Sequence, residues 1–521
     1  MLRSPEAAAG LLAALLGTLH LVLLPTSGTD LAAQGARASF ARAYPLTPVD
    51  LSWYSGTHPF AYSLLSPALM AVVGVGLSGL LASVAAAALL AHLLRRTPHV
   101  WPGALAGSVF SVVDVVDGRT TFALGAVAAL AAVIVLPRRG PAAACAVLTA
   151  LLSPVAAAFL GLAAAVLVLH RRRGGWTLGL TAAAPVAVLA VLFPTGGEQP
   201  YRPSSAVPAV LAGLVLALLT TTSLLRTAAL LYAGAVALLL LTHDPFGSNI
   251  LRLGLLLAAP LVLATVSRTR LVVVPIAAAL ASWQLRPAYA DVRARPAPGF
   301  LALDRALVRL DARRVEVVPL RDHQEAEVVV RAVPLARGWS RQIDRGENAL
   351  FYEGLLTPER FHAWLLLHRV DAVALADAPL DTAGRREAAL LRHQPVRGLE
   401  REWYDAHWTV WRVVDARPLA APPAVVVTSG RASLVLRSGR AADSLVDVRW
   451  SRWLSLSGPG CVLQAGDRTR VRFARAGTVT VTSSLLPRSH CQGRDAGGRD
   501  GRAVGVPGSG CRLGRQPLAW D

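Results

Sequence analysis

A polytopic α-helical membrane domain of about eleven transmembrane helices, followed by an extracytoplasmic α/β unit and a β-sandwich, is the fold class that three observations predict. First, 54% of the 521 residues are hydrophobic and only 16% are charged, with a mean hydropathy of +0.48. That combination excludes an ordinary soluble globular protein. Second, apolar runs long enough for a bilayer recur between Ala7 and Trp283, whereas the chain beyond Arg286 is more polar. Third, arginines mark the ends of those runs. The chain carries 52 basic residues against 32 acidic ones, a formal net charge of +20, and no lysine. The arginines stand in short runs between apolar segments, as cytoplasmic membrane flanks do. A nucleic-acid binder would gather them on one face, so no nucleic-acid partner is expected. The four cysteines form no CxxC pair, which supports neither a structural zinc site nor a thioredoxin-like motif.

A hydrocarbon core of about 30 Å takes roughly 20 apolar residues as helix. The first run, 7–24, follows Arg3; it is long and lacks an A-x-A site, which favours an uncleaved anchor over a signal peptide. The second, 74–94, ends at Arg95 and Arg96, and the fourth, 120–136, ends at Arg138 and Arg139. The third, 101–113, is short and ends in the acidic turn 114–118. Positive-inside counting places the arginine ends in the cytoplasm and the acidic turn outside. The stretch 141–169 lies between Arg139 and the triple Arg171, Arg172, Arg173, so it must go out and return as two short helices. Pro154 marks its outer tip, because proline cannot continue a helix without losing a backbone hydrogen bond. Single crossings follow at 176–193, 206–225, 228–241, 250–266 and 271–283, with Arg226, Arg268 and Arg270 inside. The amino terminus is then inside a plasma membrane and the carboxyl terminus outside.

The membrane domain is assigned to 1–289. From 290 to 417 a helical pattern (358–368) alternates with short strands (315–319, 372–375, 408–413), which suggests a small α/β layer. From 424 to 485 the pattern turns to period two, as in Arg470, Val471, Arg472, Phe473 and Val479, Thr480, Val481, Thr482, the mark of a β-sandwich assigned to 418–492. Cys461 and Cys491 bracket the last strands, either as a disulfide of an oxidising compartment or as two free thiols. The Gly- and Arg-rich 493–521 is expected to be a disordered tail.

On this topology Asp30, Asp50, Asp114, Asp117, Glu198 and Asp244 all fall at the outer face. A carboxylate at the lipid boundary is costly enough to be kept mainly for a reason, although outer loops are also simply wet. The first outer loop, 26–67, is too long for a plain connection. It carries Asp50, Trp53, Tyr54 and His58 within one short stretch. Ring faces stack on sugar carbons while polar groups fix hydroxyls, so these four, with Asp244, are the candidate substrate-binding side chains; an interfacial aromatic belt is the alternative. Arg252 lies one turn inside a span. It can snorkel outward, or it can hold a phosphate as a planar cation, with the Gly247, Ser248, Asn249 helix start adding backbone donors. The run from Gly74 to Gly79 fits G-x-G-x-x-G by letter, but it opens a membrane helix and follows no strand, so close helix packing explains it. The absence of H-E-x-x-H, Walker and G-x-S-x-G patterns sets aside zinc peptidases, ATP-driven pumps and the common lipases.

Asp30, Leu31, Ala32, Ala33, Gln34 after the first span, the stretch 51–63, and Gly247, Ser248, Asn249 with Arg252 resemble actinobacterial integral membrane proteins related to GT-C glycosyltransferases. The stretches 337–344 and 405–408 are similar to the extracytoplasmic part of such proteins. The resemblance implies a GT-C-like membrane domain that uses a polyprenyl-phosphate sugar as donor. It implies Asp30 as the general base that deprotonates an acceptor hydroxyl, and Asp114 and Asp117 as catalytic acids able to help bind a divalent cation such as Mg or Mn. It leaves Arg252 and Asn249 as the donor-phosphate residues. The sequence has a single acid at Asp30, where the commoner family pattern has two adjacent ones.

The expected activity is therefore transfer of a sugar from a polyprenyl-phosphate donor to an envelope glycan or lipid acceptor at the outer face of the bilayer. A leaving phosphate needs a cation, an acceptor needs a base, and the sugar needs a polar and aromatic cavity. The competing classes are a transporter or flippase of lipid-linked precursors and a noncatalytic envelope-assembly protein. A transporter would place its polar groups near mid-membrane on broken helices and often show repeated halves.

Overall fold

The computed structural model describes residues 4–24, 28–199, 201–242, 244–293, 296–487 and 490–491. The expected tail at 493–521 lies outside them. The first half is helical: α1 (Pro5–Leu23), α2 (Leu31–Ala43), α3 (Pro59–Tyr62), α4 (Ser66–Val73), α5 (Val75–Leu94), α6 (Val100–Val116), α7 (Thr120–Ile134), α8 (Arg139–Leu152), α9 (Pro154–Leu169), α10 (Gly175–Leu192), α11 (Pro203–Leu219), α12 (Ser223–Leu239), α13 (Leu251–Thr265) and α14 (Arg270–Val292). Among the described residues five helices are long and apolar enough to cross a membrane, counting α13 with its preceding turn, and α6, α7, α8, α9, α11 and α12 are shorter apolar helices.

Local chemistry sets the helix breaks. Ser153 is extended and its side chain caps α9 by accepting from the Ala156 amide, so α8 and α9 reverse at Ser153–Pro154 as the proline predicts. Gly74, at φ +92°, separates α4 from α5. A Cβ on Gly79 would meet Val115 Cγ1 at 2.5 Å, so this glycine lets α5 and α6 approach closely. The expected acidic turn 114–118 starts later than the sequence suggests, because α6 continues to Val116 and buries Asp114 in its last turn.

Helix direction alternates across the bundle. Glu6 at the start of α1 pairs with Arg95 just past α5, 3.1 Å apart, so these two helices run antiparallel. Asp117 after α6, the start of α7, the α8–α9 break and the start of α13 lie at the opposite end.

The second half adds α15 (Phe300–Arg309), α16 (Glu325–Val328), α17 (Arg341–Glu347), α18 (Pro358–Leu367) and α19 (Thr382–His393) around a four-stranded sheet. Its strands are β1 (Val315–Val317), β2 (Ala372–Ala376), β3 (Leu399–Tyr404) and β4 (Trp408–Val413), in the order β1-β2-β4-β3, with only the β1–β2 pair parallel. Then come β5 (Val425–Ser429), β6 (Leu434–Ser438), β7 (Ala442–Arg449), β8 (Leu454–Ser457), β9 (Gly460–Ala465), β10 (Arg468–Phe473) and β11 (Gly477–Ser483). They form two antiparallel sheets, β7-β10-β9 and β5-β6-β11-β8. Val446, Val471 and Phe473 of one sheet share a core with Leu436, Leu456 and Val481 of the other, as period-two burial requires. A disulfide joins Cys461 and Cys491.

The first loop ties these parts together. Asp50 and Thr57 exchange backbone hydrogen bonds, Ser52 accepts from the Leu335 amide, and Ser55 accepts from the Arg449 amide. Trp53 and Tyr54 enter the core that holds Leu303 and Val315, and Val49 enters the core of the paired sheets.

Candidate functional site

Asp30 owes its place to two glycines. A Cβ on Gly28 would meet the Val116 carbonyl at 2.6 Å, and one on Gly118, whose φ is +81°, would meet the Leu31 amide at 2.3 Å. The chain before α2 therefore lies directly on the α6–α7 turn, and the Asp30 amide donates to the Asp117 carbonyl at 3.3 Å. Asp30 precedes the first residue of α2, yet its side chain does not cap that helix. Its Oδ2 instead accepts from Arg252 Nη2 at 2.9 Å and lies 4.0 Å from Arg119 Nε. Oδ1 carries no hydrogen bond among the described residues.

Arg119 is also the partner of the acidic pair. Its Nη1 lies 2.9 Å from Asp117 Oδ2 and 3.5 Å from Asp114 Oδ1, the former an ion pair without hydrogen-bond alignment. The result is a chain of alternating charge, Asp114 and Asp117 to Arg119, then Asp30, then Arg252. The acidic pair does not fit a divalent ion as placed, because the guanidinium already occupies the seat a cation would take. Among the described residues no group of three or more His, Cys, Asp or Glu side chains is arranged to hold a metal ion.

Asp30 and Arg252 open onto a cavity of about 410 Å³ between the helix ends and the second half of the chain. Its wall also includes Arg37, Asp50, Trp53, His58, Tyr62, Thr121, Phe122, Asn249 and Trp339. Asp114, Asp117, Tyr54 and Asp244 are not on it. Tyr54 is buried, with its hydroxyl donating to the Gly338 carbonyl. Asp244 is committed to its own turn: Oδ1 accepts from the amides of Phe246 and Gly247 at 2.8 and 2.9 Å, and Oδ2 from Thr242 Oγ1. The anion-binding helix start expected at 247–249 is likewise spent, since the Ser248 amide donates to Gln199 and the Asn249 amide and side chain both donate to Phe246. An Asx turn and a single 3-10 turn consumed the donors that the sequence suggested were free.

Other wall residues are held from behind. Trp53 Nε1 donates to the Ala326 carbonyl, and His58 contacts the Pro194 carbonyl through Nδ1 and Ser451 Oγ through Nε2. Asp50 accepts from the Ser52 amide, and burial pushes its carboxyl up while Arg431 pulls it down. Glu198 is 3.1 Å from Arg345 and does not join the cavity.

Arg37 is the residue that sequence reading missed. Its guanidinium lies 3.6 Å from the Tyr62 ring centroid and 5.7 Å from that of Trp53. It makes no ion pair or hydrogen bond among the described residues, so its donors are available to the cavity. The signal was present: Asp30, Gln34 and Arg37 recur at spacings of four and three, one face of a helix. Gln34 on that face is fully buried, bonded to Tyr62 Oη and Thr121 Oγ1.

Compared with known proteins, the chain matches no protein-family model and no curated protein. The class stated by its own structure is a chain of apolar helices able to cross a membrane, with β-sheets in its C-terminal region.

Proposed function

We propose that the protein is a membrane glycosyltransferase of GT-C type. It moves a sugar from a polyprenyl-phosphate donor to an envelope glycan or lipid acceptor at the outer face of the plasma membrane. In this reading the eleven apolar helices cross the bilayer, the amino terminus is inside, and the α/β layer and the sandwich lie outside as a cover over the cavity. The observation that carries the reading is the cavity itself. It brings the Asp30 carboxylate, free on one oxygen, and one uncommitted guanidinium, Arg37, onto the same wall at the end of a helix bundle, together with Asp50, Tyr62, Trp53 and Trp339.

Asp30 Oδ1 takes the proton of the acceptor hydroxyl, while Arg252 on Oδ2 keeps the carboxylate aimed and charged. Arg37 binds the phosphate of the donor and keeps hold of it as it leaves, since its charge is not already met by a carboxylate. Arg252, expected at the sequence level to hold that phosphate, becomes the positioning partner of the base. No step is routed through a metal ion.

Replacing Asp30 by Asn keeps shape and one acceptor but removes the base. Membranes carrying the variant should lose at least about a hundredfold of sugar transfer from a polyprenyl-phosphate donor. Transfer at the wild-type rate would defeat the assignment and favour the noncatalytic reading, in which the Asp30–Arg252 pair only fastens α2 to α13.

A further inference from the structure

At the other end of the bundle a second cavity, about 1020 Å³, is lined by Arg95, Arg96, Arg139, Arg172 and Arg173. The two cavities face opposite ways: Thr121 and Phe122 at the start of α7 line the first, Val133 and Ile134 at its end line the second. Eleven residues of α-helix separate these positions by about 16 Å.

The five arginines come from three places in the chain, past the end of α5, at the start of α8 and in the turn after α9. Gly174 brings the last of these in: at φ +93°, with Leu136 Cδ1 2.7 Å from where a Cβ would be, it lets the turn 171–174 press on the end of α7. Among the described residues only Arg95 of the five has a carboxylate partner, Glu6. Arg96, Arg139, Arg172 and Arg173 make no ion pair among the described residues, and no acidic side chain lines the cavity. The remaining wall is apolar, with Leu93, Val133, Leu136 and Leu167 from the flanks of the helices.

We propose that this cavity binds an anionic phospholipid with two phosphodiesters, of the cardiolipin type, from the leaflet at that end. The volume and the spread of four uncompensated guanidiniums exceed what one phosphate can satisfy, and the apolar wall accepts acyl chains that a free anion lacks. Basic pockets between membrane helices recognise such headgroups through charge-assisted hydrogen bonds. The site is distinct from the cavity of Asp30 and stands whether or not that cavity transfers sugar.

The test uses the full chain in nanodiscs of phosphatidylcholine titrated with fluorescent cardiolipin, monitored by energy transfer from the tryptophans. The variant Arg139→Ala/Arg172→Ala/Arg173→Ala should weaken binding by about tenfold or more. Arg226→Ala/Arg268→Ala/Arg270→Ala removes the same charge outside the cavity and should leave it within about twofold. Because all these side chains are exposed, both variants should elute as the wild type does; should the first triple variant fail to do so, Arg96→Gln alone serves, with an intermediate loss expected. Equal loss in the two triple variants would reduce the effect to general surface charge and overturn the site. Complete competition by millimolar inorganic phosphate, or equal affinity for phosphatidylcholine, would overturn it as well.

Discussion

Arg37 and Arg252 separate two jobs that a single letter, arginine, hides. Arg252 donates to Asp30 and lies 5.8 Å from the Phe122 ring centroid, whereas Arg37 is stacked on Tyr62 with its donors unspent. In the proposed reaction, Arg37→Ala should raise KM for the lipid-phosphate donor by about tenfold with a smaller change in kcat, and Arg252→Ala should lower kcat with little change in KM. Steady-state kinetics in membranes separate the two. The reverse pattern would return the phosphate to Arg252. The sequence showed Asp30 and Arg252 as unusual residues, but their separation by 222 positions hid that they bond to each other. The glycines that enforce the approach, Gly28 and Gly118, look like ordinary loop residues until the backbone atoms they meet are seen.

Among the elements, β1, α17, α19 and the loop before α17 meet around one buried guanidinium. Arg337 bonds Glu316 and Glu387 and lies 3.9 Å from Asp344, all four being buried. Three carboxylates share one cation there. Burial pushes the Glu387 carboxyl up to about 7 against the pull of Arg337, and Glu316 is raised as well, for the same reason. The unfolded chain releases the Glu387 proton near the ordinary glutamate value, while the folded one retains it until about 7. The stability that Glu387 contributes is thus fully present in acid and is lost as pH rises from about 4.5 to about 7. Glu387→Gln should reduce that slope, leaving the part that the raised Glu316 supplies, a difference on the order of a few kcal/mol between the ends of the range, read as the change in melting temperature of wild type and variant at pH 5 and pH 8. Parallel curves would exclude Glu387 as its source. The apolar helices and the period-two strands were legible because burial writes a repeat into the letters; α17 and this cluster were not, because contacts between residues 316, 337 and 387 leave no local pattern.

For the whole molecule, the join between the four-stranded sheet and the paired sheets rests on Arg314. It bonds both the side chain and the carbonyl of Asp447, and also the His368 carbonyl, while Arg468 Nε reaches the same carboxylate at 2.6 Å. Burial would raise the Asp447 carboxyl, yet the two guanidiniums hold it below the usual range. Asp447→Ala strands a buried cation, which typically costs about 3–5 kcal/mol. Differential scanning fluorimetry of the full chain should show a clear fall in melting temperature. An unchanged melting temperature would mean that the two sheet assemblies do not depend on this contact.

The first loop reaches its partners late. Trp53 donates to a carbonyl 273 residues further along, and ribosomes add about 5–20 residues each second. During synthesis the indole of Trp53 therefore waits roughly 14 to 55 seconds for the helix that carries its partner carbonyl, a period in which a chaperone would find this segment uncovered.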